Sequence, residues 1–308
     1  MNLRALMYFD ELVRTKSMRA VAENLGVAPT AVSRQIESLE EHFGTPLVER
    51  NNRGIRLTAA GELLAAGAGK TLRELQHVQQ LIDDMQGLQH GKVAIYANGA
   101  TVANLLAPVL AEFSLKYPKL RFEVVITSAR EAVDALAEAK ADVVVALFAP
   151  KLPGLKVRMR SDVTYDVILS ADHPAAGAKE ISLEELVRMP LALPDRTFSA
   201  GQAFEAVFAK AKLKLDPVFV TGAIEVLKEL VLRQAAVTLL PALSVKREIE
   251  AGLMVAVPVA GGKAVRTPMD VCVAPDRQLS FAAATLVDFI ETFMRDTTSR
   301  KTSAHKGD

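Results

Sequence analysis

Cysteine occurs once in this 308-residue chain, at Cys272. Its neighbours are apolar (VCVA), which makes it a buried strand position rather than a thiol sensor. The histidines His42, His77, His90, His173 and His305 are scattered without metal-ligand spacing, so no metal and no cofactor are expected. A nucleophile elbow, a phosphate loop and a zinc-hydrolase helix are all missing, which argues against an enzyme. No apolar run is long enough to span a bilayer, and Met1-Asn2-Leu3-Arg4 does not open a signal peptide. A cytoplasmic protein with no membrane partner is expected. Net charge is only +1. Even the first 57 residues are nearly balanced, because Glu37, Glu40 and Glu41 offset the arginines. Bulk charge therefore predicts no nucleic-acid partner; only the local placement of arginines can. Half of the residues are hydrophobic, enough for two or three cores.

The informative segment is 17–61. Ser17 can cap a helix on which Val21, Ala22 and Leu25 recur at helical spacing. Gly26 sits where a left-handed C-terminal residue is needed, and Val27 can plug the angle between two helices. Pro29 suits the first turn of the next helix, where no N–H is required. Val32, Ile36, Leu39 and Phe43 form one apolar stripe, expected to be buried, with Thr30, Ser33, Arg34 and Glu37 on the other face. A preceding helix over 3–15 adds Leu6, Phe9, Leu12 and Val13 to the same core. After Gly44 and Pro46, Leu47 and Val48 begin a strand. Asn51, Asn52 and Gly54 suit a turn, and Ile55 and Leu57 alternate with Arg56. Arg50, Arg53 and Arg56 thus ride a hairpin beside the second helix. The combination is a winged helix-turn-helix that places a helix in the major groove of double-stranded DNA. The competing reading, a solvated basic turn on an ordinary helical domain, ignores the helix pair at the right distance.

These residues resemble the winged helix-turn-helix of the LysR-type transcriptional regulators. The matching string is AVAENLGVAPTAVSRQIESLEEHFGTPLVERNNRGIRLTAAG, with Leu39-Glu40, Gly44, Pro46-Leu47, Arg50, Leu57-Thr58 and Gly61 in the family's places. One departure stands out. The family often carries Ser-Gln before the recognition helix, where this chain has Ala28-Pro29. The base contact of that Gln is absent, which leaves Pro29, Thr30, Ser33 and Arg34, with Arg50, Arg53 and Arg56, as the DNA-binding set.

Thr58 can cap a further helix reaching about Gln89. Gly61, Leu64, Ala68, Thr71, Leu75, Val78, Ile82 and Met85 alternate there in helical steps, as in a coiled-coil seam. Leu64, Ala68, Leu75, Val78, Ile82 and Met85 are the expected dimerisation residues; an amphipathic helix packed on its own domain is the other reading. The resemblance makes this segment a linker helix that pairs subunits into a homodimer, or into a homotetramer as a dimer of dimers. RNA polymerase becomes a further partner if the protein activates.

From Gly91 the grammar changes to β-α-β-α-β. KVAIYA, RFEVVIT and DVVVALF alternate with helices, and TYDVILS, LALP, PVFV, AVTLLP, LMVAVPV and MDVCVAP follow. The fold class is α/β: an N-terminal winged helix-turn-helix (1–57), a long dimerisation helix (58–90) and a two-subdomain α/β effector domain of the periplasmic-binding-protein type (91–296). Subdomain I takes 91–162 and 267–296, and subdomain II takes 163–266. A polar tail, 297–308, is expected to be disordered. ADHP at 171–174 and LLP at 239–241 are similar to the family's second subdomain, although Gln234-Ala235-Ala236 replaces its usual glycines.

In parallel sheets ligands collect at the carboxyl ends of strands. That rule selects Asn98, Gly99, Ala100 and Thr101 after the first strand, Thr127, Ser128 and Arg130 after the second, and Phe148 after the third. Phe198, Ser199 and Thr221 come from the other subdomain. Backbone N–H groups at a helix start, with hydroxyls nearby, suit a small organic anion as effector. The simpler alternative is that each Thr or Ser caps a helix. A solute-binding protein or an enzyme could use the same cleft.

Overall fold

The computed structural model describes residues 2–51, 54–85, 90–150, 155–262 and 264–304. It divides into two compact units, 1–82 and 83–308.

In the first unit α1 (Leu3–Thr15) is capped by Asn2, whose Oδ1 accepts from the Ala5 N–H at 2.7 Å. Ser17 caps α2 (Met18–Leu25) through the Ala20 N–H, and Gly26 ends it with φ of 64°, in the left-handed region that glycine tolerates. Pro29 opens α3 (Pro29–Phe43), and Ala28 before it supplies no side-chain cap. Phe9, Leu12, Val21, Val32, Ile36 and Leu39 close the core. Phe43 departs from the expected buried stripe and is 45% exposed. It is the last residue of α3, where the chain leaves the helix, and it is not among the described residues of the head's core; its ring meets His42 edge-on. The wing is β1 (Val48–Asn51) antiparallel to β2 (Gly54–Leu57), with Glu49 opposite Arg56 and Arg50 opposite Ile55.

Thr58 starts α4 (Ala59–Met85): its Oγ1 accepts from the Gly61 N–H. The expected seam divides in two. Gly61 and Ala68 are buried and Leu64 is half-buried, because this end of α4 packs on the winged unit's own core. Leu75, Val78, Ile82 and Met85 remain exposed.

The second unit begins with β3 (Gly91–Ala97). A 3-10 turn (Gly99–Thr101) and a π turn (Val102–Leu106) then lead into α5 (Ala107–Lys116). Next come β4 (Leu120–Ile126), α6 (Ala129–Ala137), β5 (Val143–Leu147) and the long β6 (Lys156–Ser170). The other half holds α7 (Leu183–Leu186), β7 (Ala192–Leu193), α8 (Ser199–Lys210), β8 (Phe219–Val220), α9 (Ile224–Leu232), β9 (Thr238–Pro241), α10 (Lys246–Glu250) and β10 (Met254–Val257). The chain returns through β11 (Arg266–Val273) to α11 (Phe281–Ala304). That helix runs through most of the expected disordered tail; no Gly or Pro interrupts the sequence between Phe281 and Lys306.

β4, β3 and β5 are parallel, as the β-α-β pattern requires. The sheet as a whole is mixed, in the order β10-β6-β11-β5-β3-β4, with β9 also on β6. The crossing strands run against their neighbours: β11 is antiparallel to β5 and β6, and β9 and β10 are antiparallel to β6. One strand, β6, therefore belongs to both halves. Its residues through Thr164 pair with β11 and those from Tyr165 onward with β9. Cys272 is fully buried on β11, and burial pushes its thiol up to about 12. It is inert at neutral pH, as its apolar surroundings suggested.

Candidate DNA-binding face and effector cleft

The outer face of α3 carries Pro29, Thr30 and Arg34, all exposed, with Ser33 half-buried between them. Arg34 makes no ion pair among the described residues, so its guanidinium is available. Ser38 lies two turns beyond Thr30 on the exposed side; its helical spacing is a signal that the sequence reading did not use. Glu40 ties α3 to the wing. Its Oε1 accepts from the Leu47 N–H at 2.8 Å and the Val48 N–H at 3.2 Å. Arg56 is exposed on β2 opposite Glu49. The side chain of Arg50, and Arg53 entirely, lie outside the described residues.

In the second unit a cavity of about 990 Å³ opens between the two halves. Asn98, Gly99 and Ala100 line it from the end of β3, Thr127 and Ser128 from the end of β4, and Phe148 from the end of β5. Phe198 and Ser199 face it from the start of α8. Two expected residues are absent from the lining. Thr101 is 1% exposed, and its hydroxyl donates to the Asn98 carbonyl at 2.9 Å. Thr221 instead accepts from the Ala223 N–H, closing the turn before α9.

Several of the lining polar groups are already engaged. Asn98 Oδ1 accepts from the Leu147 N–H at 2.6 Å, which fixes the end of β3 against β5. The Thr127 hydroxyl donates to Glu131, as do the Ser128 hydroxyl and N–H, and Ser128 in turn caps α6. The capping reading therefore holds for Ser128. Hydrogen bonds from Thr127, then Ser128, hold the Glu131 carboxyl below its ordinary value, so it is ionised at neutral pH. The Ser199 hydroxyl has no partner among the described residues.

Other features of the cleft lay outside the sequence reading. Phe148 has φ of 58°, rare for a bulky residue, and its N–H donates to the buried Thr267 hydroxyl. Gly222 is fixed by a neighbour: a Cβ there would lie 2.4 Å from the Phe198 ring. Across the cleft the buried Ser244 hydroxyl donates to the Ala100 carbonyl at 3.1 Å. Tyr165 of β6 lines the cavity between Phe148 and Phe204.

The LysR substrate binding domain matches residues 86–295, and the bacterial regulatory helix-turn-helix of the lysR family matches residues 3–62. The chain belongs to the LysR family of DNA-binding transcriptional regulators, with a helix-turn-helix head and an effector-binding domain. It is 27% identical to the HTH-type transcriptional activator CmpR of Synechocystis sp., covering 94% of each chain. It is also 27% identical to the HTH-type transcriptional regulator IlvY of Escherichia coli, over 78% of this chain and 82% of that one. The solved structure of full-length CbnR complexed with its target DNA shares the fold at a TM-score of 0.70 and 21% identity, over 95% of this chain and 99% of CbnR. No described helix is long and apolar enough to cross a membrane, and no cluster of metal-ligating side chains occurs among the described residues.

Proposed function

We propose that this regulator binds its operator through α3 and the wing, and that a small organic anion in the cleft sets its activity. Thr30, Ser33 and Arg34 read the major groove, while Arg50, Arg53 and Arg56 hold the flanking backbone. The carrying observation is the cavity of about 990 Å³ lined from both halves of the effector domain. A ligand there touches Gly99 and Ala100 at one helix start and Ser199 at another, and helix starts favour negative charge. It can act on DNA binding only by preferring one arrangement of the two halves.

The exposed end of α4 supports pairing. Leu75, Val78, Ile82 and Met85 present an apolar stripe, with Met85 at 88% exposure, and a second copy would cover it. The protein acts in the cytoplasm as a homodimer or homotetramer, without enzymatic turnover, and contacts RNA polymerase if it activates. Genome-wide mapping of bound DNA supplies the operator. A thermal-shift screen of organic acids on the full chain then tests the cleft. Hits should be lost in Ile224→Trp, which fills the cavity, and their persistence in that variant refutes the cleft as the effector site.

A further inference from the structure

We propose that Tyr165 reads an oxygen atom of the effector, and that the effector carries a ring or similar apolar body rather than being a small, oxygen-rich acid. This rests on the cleft being the effector site. Tyr165 is 4% exposed, yet it lines the cavity. Its ring is held between Phe148, at 5.8 Å, and Phe204, edge-on at 5.4 Å. Its hydroxyl has no hydrogen-bond partner among the described residues. The phenol oxygen itself is not fully enclosed, so on the cavity wall it is free to donate to a visitor. Burial pushes the phenol far above its ordinary value, which keeps it protonated throughout the physiological range.

The other cleft hydroxyls are less available. Thr127 and Ser128 are committed to Glu131, and Thr197 to Asp195. Ser199 and Tyr165 are the hydroxyls left free among the described lining residues. Glu131 also puts a negative charge on the cavity wall, and Arg130 faces Asp134 at 3.9 Å. A polyanion would find repulsion and few donors. Ile126, Leu147, Phe148, Phe198, Ile224 and Leu239 make much of the remaining wall apolar. The cavity, about 990 Å³, is at the upper end of the range of roughly 300–1,000 Å³ for ligand pockets. A ring-bearing monocarboxylate matches this lining.

Tyr165 also has a special place on β6. Thr164 is opposite Arg266 of β11, and Tyr165 is opposite Pro241 of β9. The Tyr165 N–H also donates to the Val265 carbonyl at 2.9 Å, just before β11, so the β9 and β11 sides meet at this residue. A ligand held by Tyr165 therefore bears on the one strand that both halves share.

The test uses the full chain labelled with 3-fluorotyrosine. It has four tyrosines, Tyr8, Tyr96, Tyr117 and Tyr165, so the fluorine resonance missing from Tyr165→Phe identifies this site. The probes are benzoate, acetophenone, toluene, malonate and citrate. Tyr165→Phe keeps the ring and removes only an unpartnered hydroxyl, so it should fold. Benzoate and acetophenone should bind and move the Tyr165 resonance. The variant should weaken both by about 5- to 10-fold while leaving toluene unchanged. Equal affinity of benzoate for wild type and Tyr165→Phe overturns the proposal, as does stronger binding of malonate or citrate than of benzoate, or binding of no probe at millimolar concentration. If benzoate binding survives Tyr165→Phe but is lost in Ile224→Trp, the cleft stands as the effector site and the role of Tyr165 falls. If it survives both, the cleft reading falls too.

Discussion

Replacing Glu40 with Ala should detach the wing from the recognition helix without unfolding the head. Glu40 Oε1 holds two backbone donors, the N–H groups of Leu47 and Val48, at 2.8 and 3.2 Å. Hydrogen bonds to a charged acceptor contribute about 1.5–3 kcal/mol each. The bonds are only part-buried, so water recovers some of that on their loss. A combined cost of about 2–3 kcal/mol is expected for the segment. Hydrogen exchange followed by mass spectrometry reads this locally in the full chain, on a peptide spanning 44–57. At about 1.4 kcal/mol per factor of ten, exchange there should quicken by roughly 30- to 100-fold while α1 is unchanged. Glu40→Gln keeps the accepting oxygen but loses the charge, so its effect should be smaller. Operator affinity should fall with wing protection, because β1 is no longer tied to α3 through Glu40. Unchanged exchange in Glu40→Ala would refute the tether, and so would equal acceleration in every peptide of the head.

Other predictions follow from the same geometry. Leu75→Asp or Val78→Asp places an unpaired charge in the exposed α4 stripe and should separate subunits; sedimentation of wild type as a monomer at micromolar concentration contradicts the pairing. Gly222→Ala drives a methyl into the Phe198 ring, 2.4 Å away, so Phe198 must shift and cleft binding should weaken by about 10-fold or more in calorimetry, with little change in operator affinity. Thr101→Val should lower stability by about 1 kcal/mol and leave ligand contacts intact, because its hydroxyl serves the Asn98 carbonyl and not the cavity. The Glu131 carboxyl is held below its ordinary 4.5 by Thr127 and Ser128, so its stabilising contribution is complete above pH 4.5 and is lost as pH falls through the depressed folded value. Thermal melts from pH 6 to 3 should therefore fall less steeply for Thr127→Val combined with Ser128→Ala than for wild type; parallel curves contradict this.

The head was largely legible because its signals are local. Ser17, Gly26 and Pro29 each act on the residues beside them, so one sequence suffices to place α2 and α3. Phe43 shows where that logic stops: spacing puts it on the buried stripe, but the chain leaves the helix there and the side chain stays exposed. The α4 seam was read as one surface, although Ala68 faces a core that only the folded head creates. In the effector unit the ends of the parallel strands line the cavity at Asn98, Gly99, Thr127, Ser128 and Phe148. The rule gives the neighbourhood of a ligand, not whether a hydroxyl is free, and so Thr101 and Thr221 were included. Tyr165 was passed over because it sits inside an apolar strand pattern, TYDVILS, and its importance comes from Phe148, Phe204 and the change of strand partners, all distant in sequence or invisible in it. Polar composition suggested a disordered tail, yet nothing between Phe281 and Ala304 breaks a helix.

Arg34 is exposed at the start of α3 and has no ion pair among the described residues, which makes it the leading candidate for reading a base. Its direct test is the affinity of the full chain for its mapped operator and for random duplex, measured for wild type and Arg34→Ala at two salt concentrations. Arg34→Ala should lose about 1–3 kcal/mol of preference for the operator while binding random duplex nearly as well as wild type. Equal operator preference in the two proteins would remove α3 from sequence reading and contradict the account.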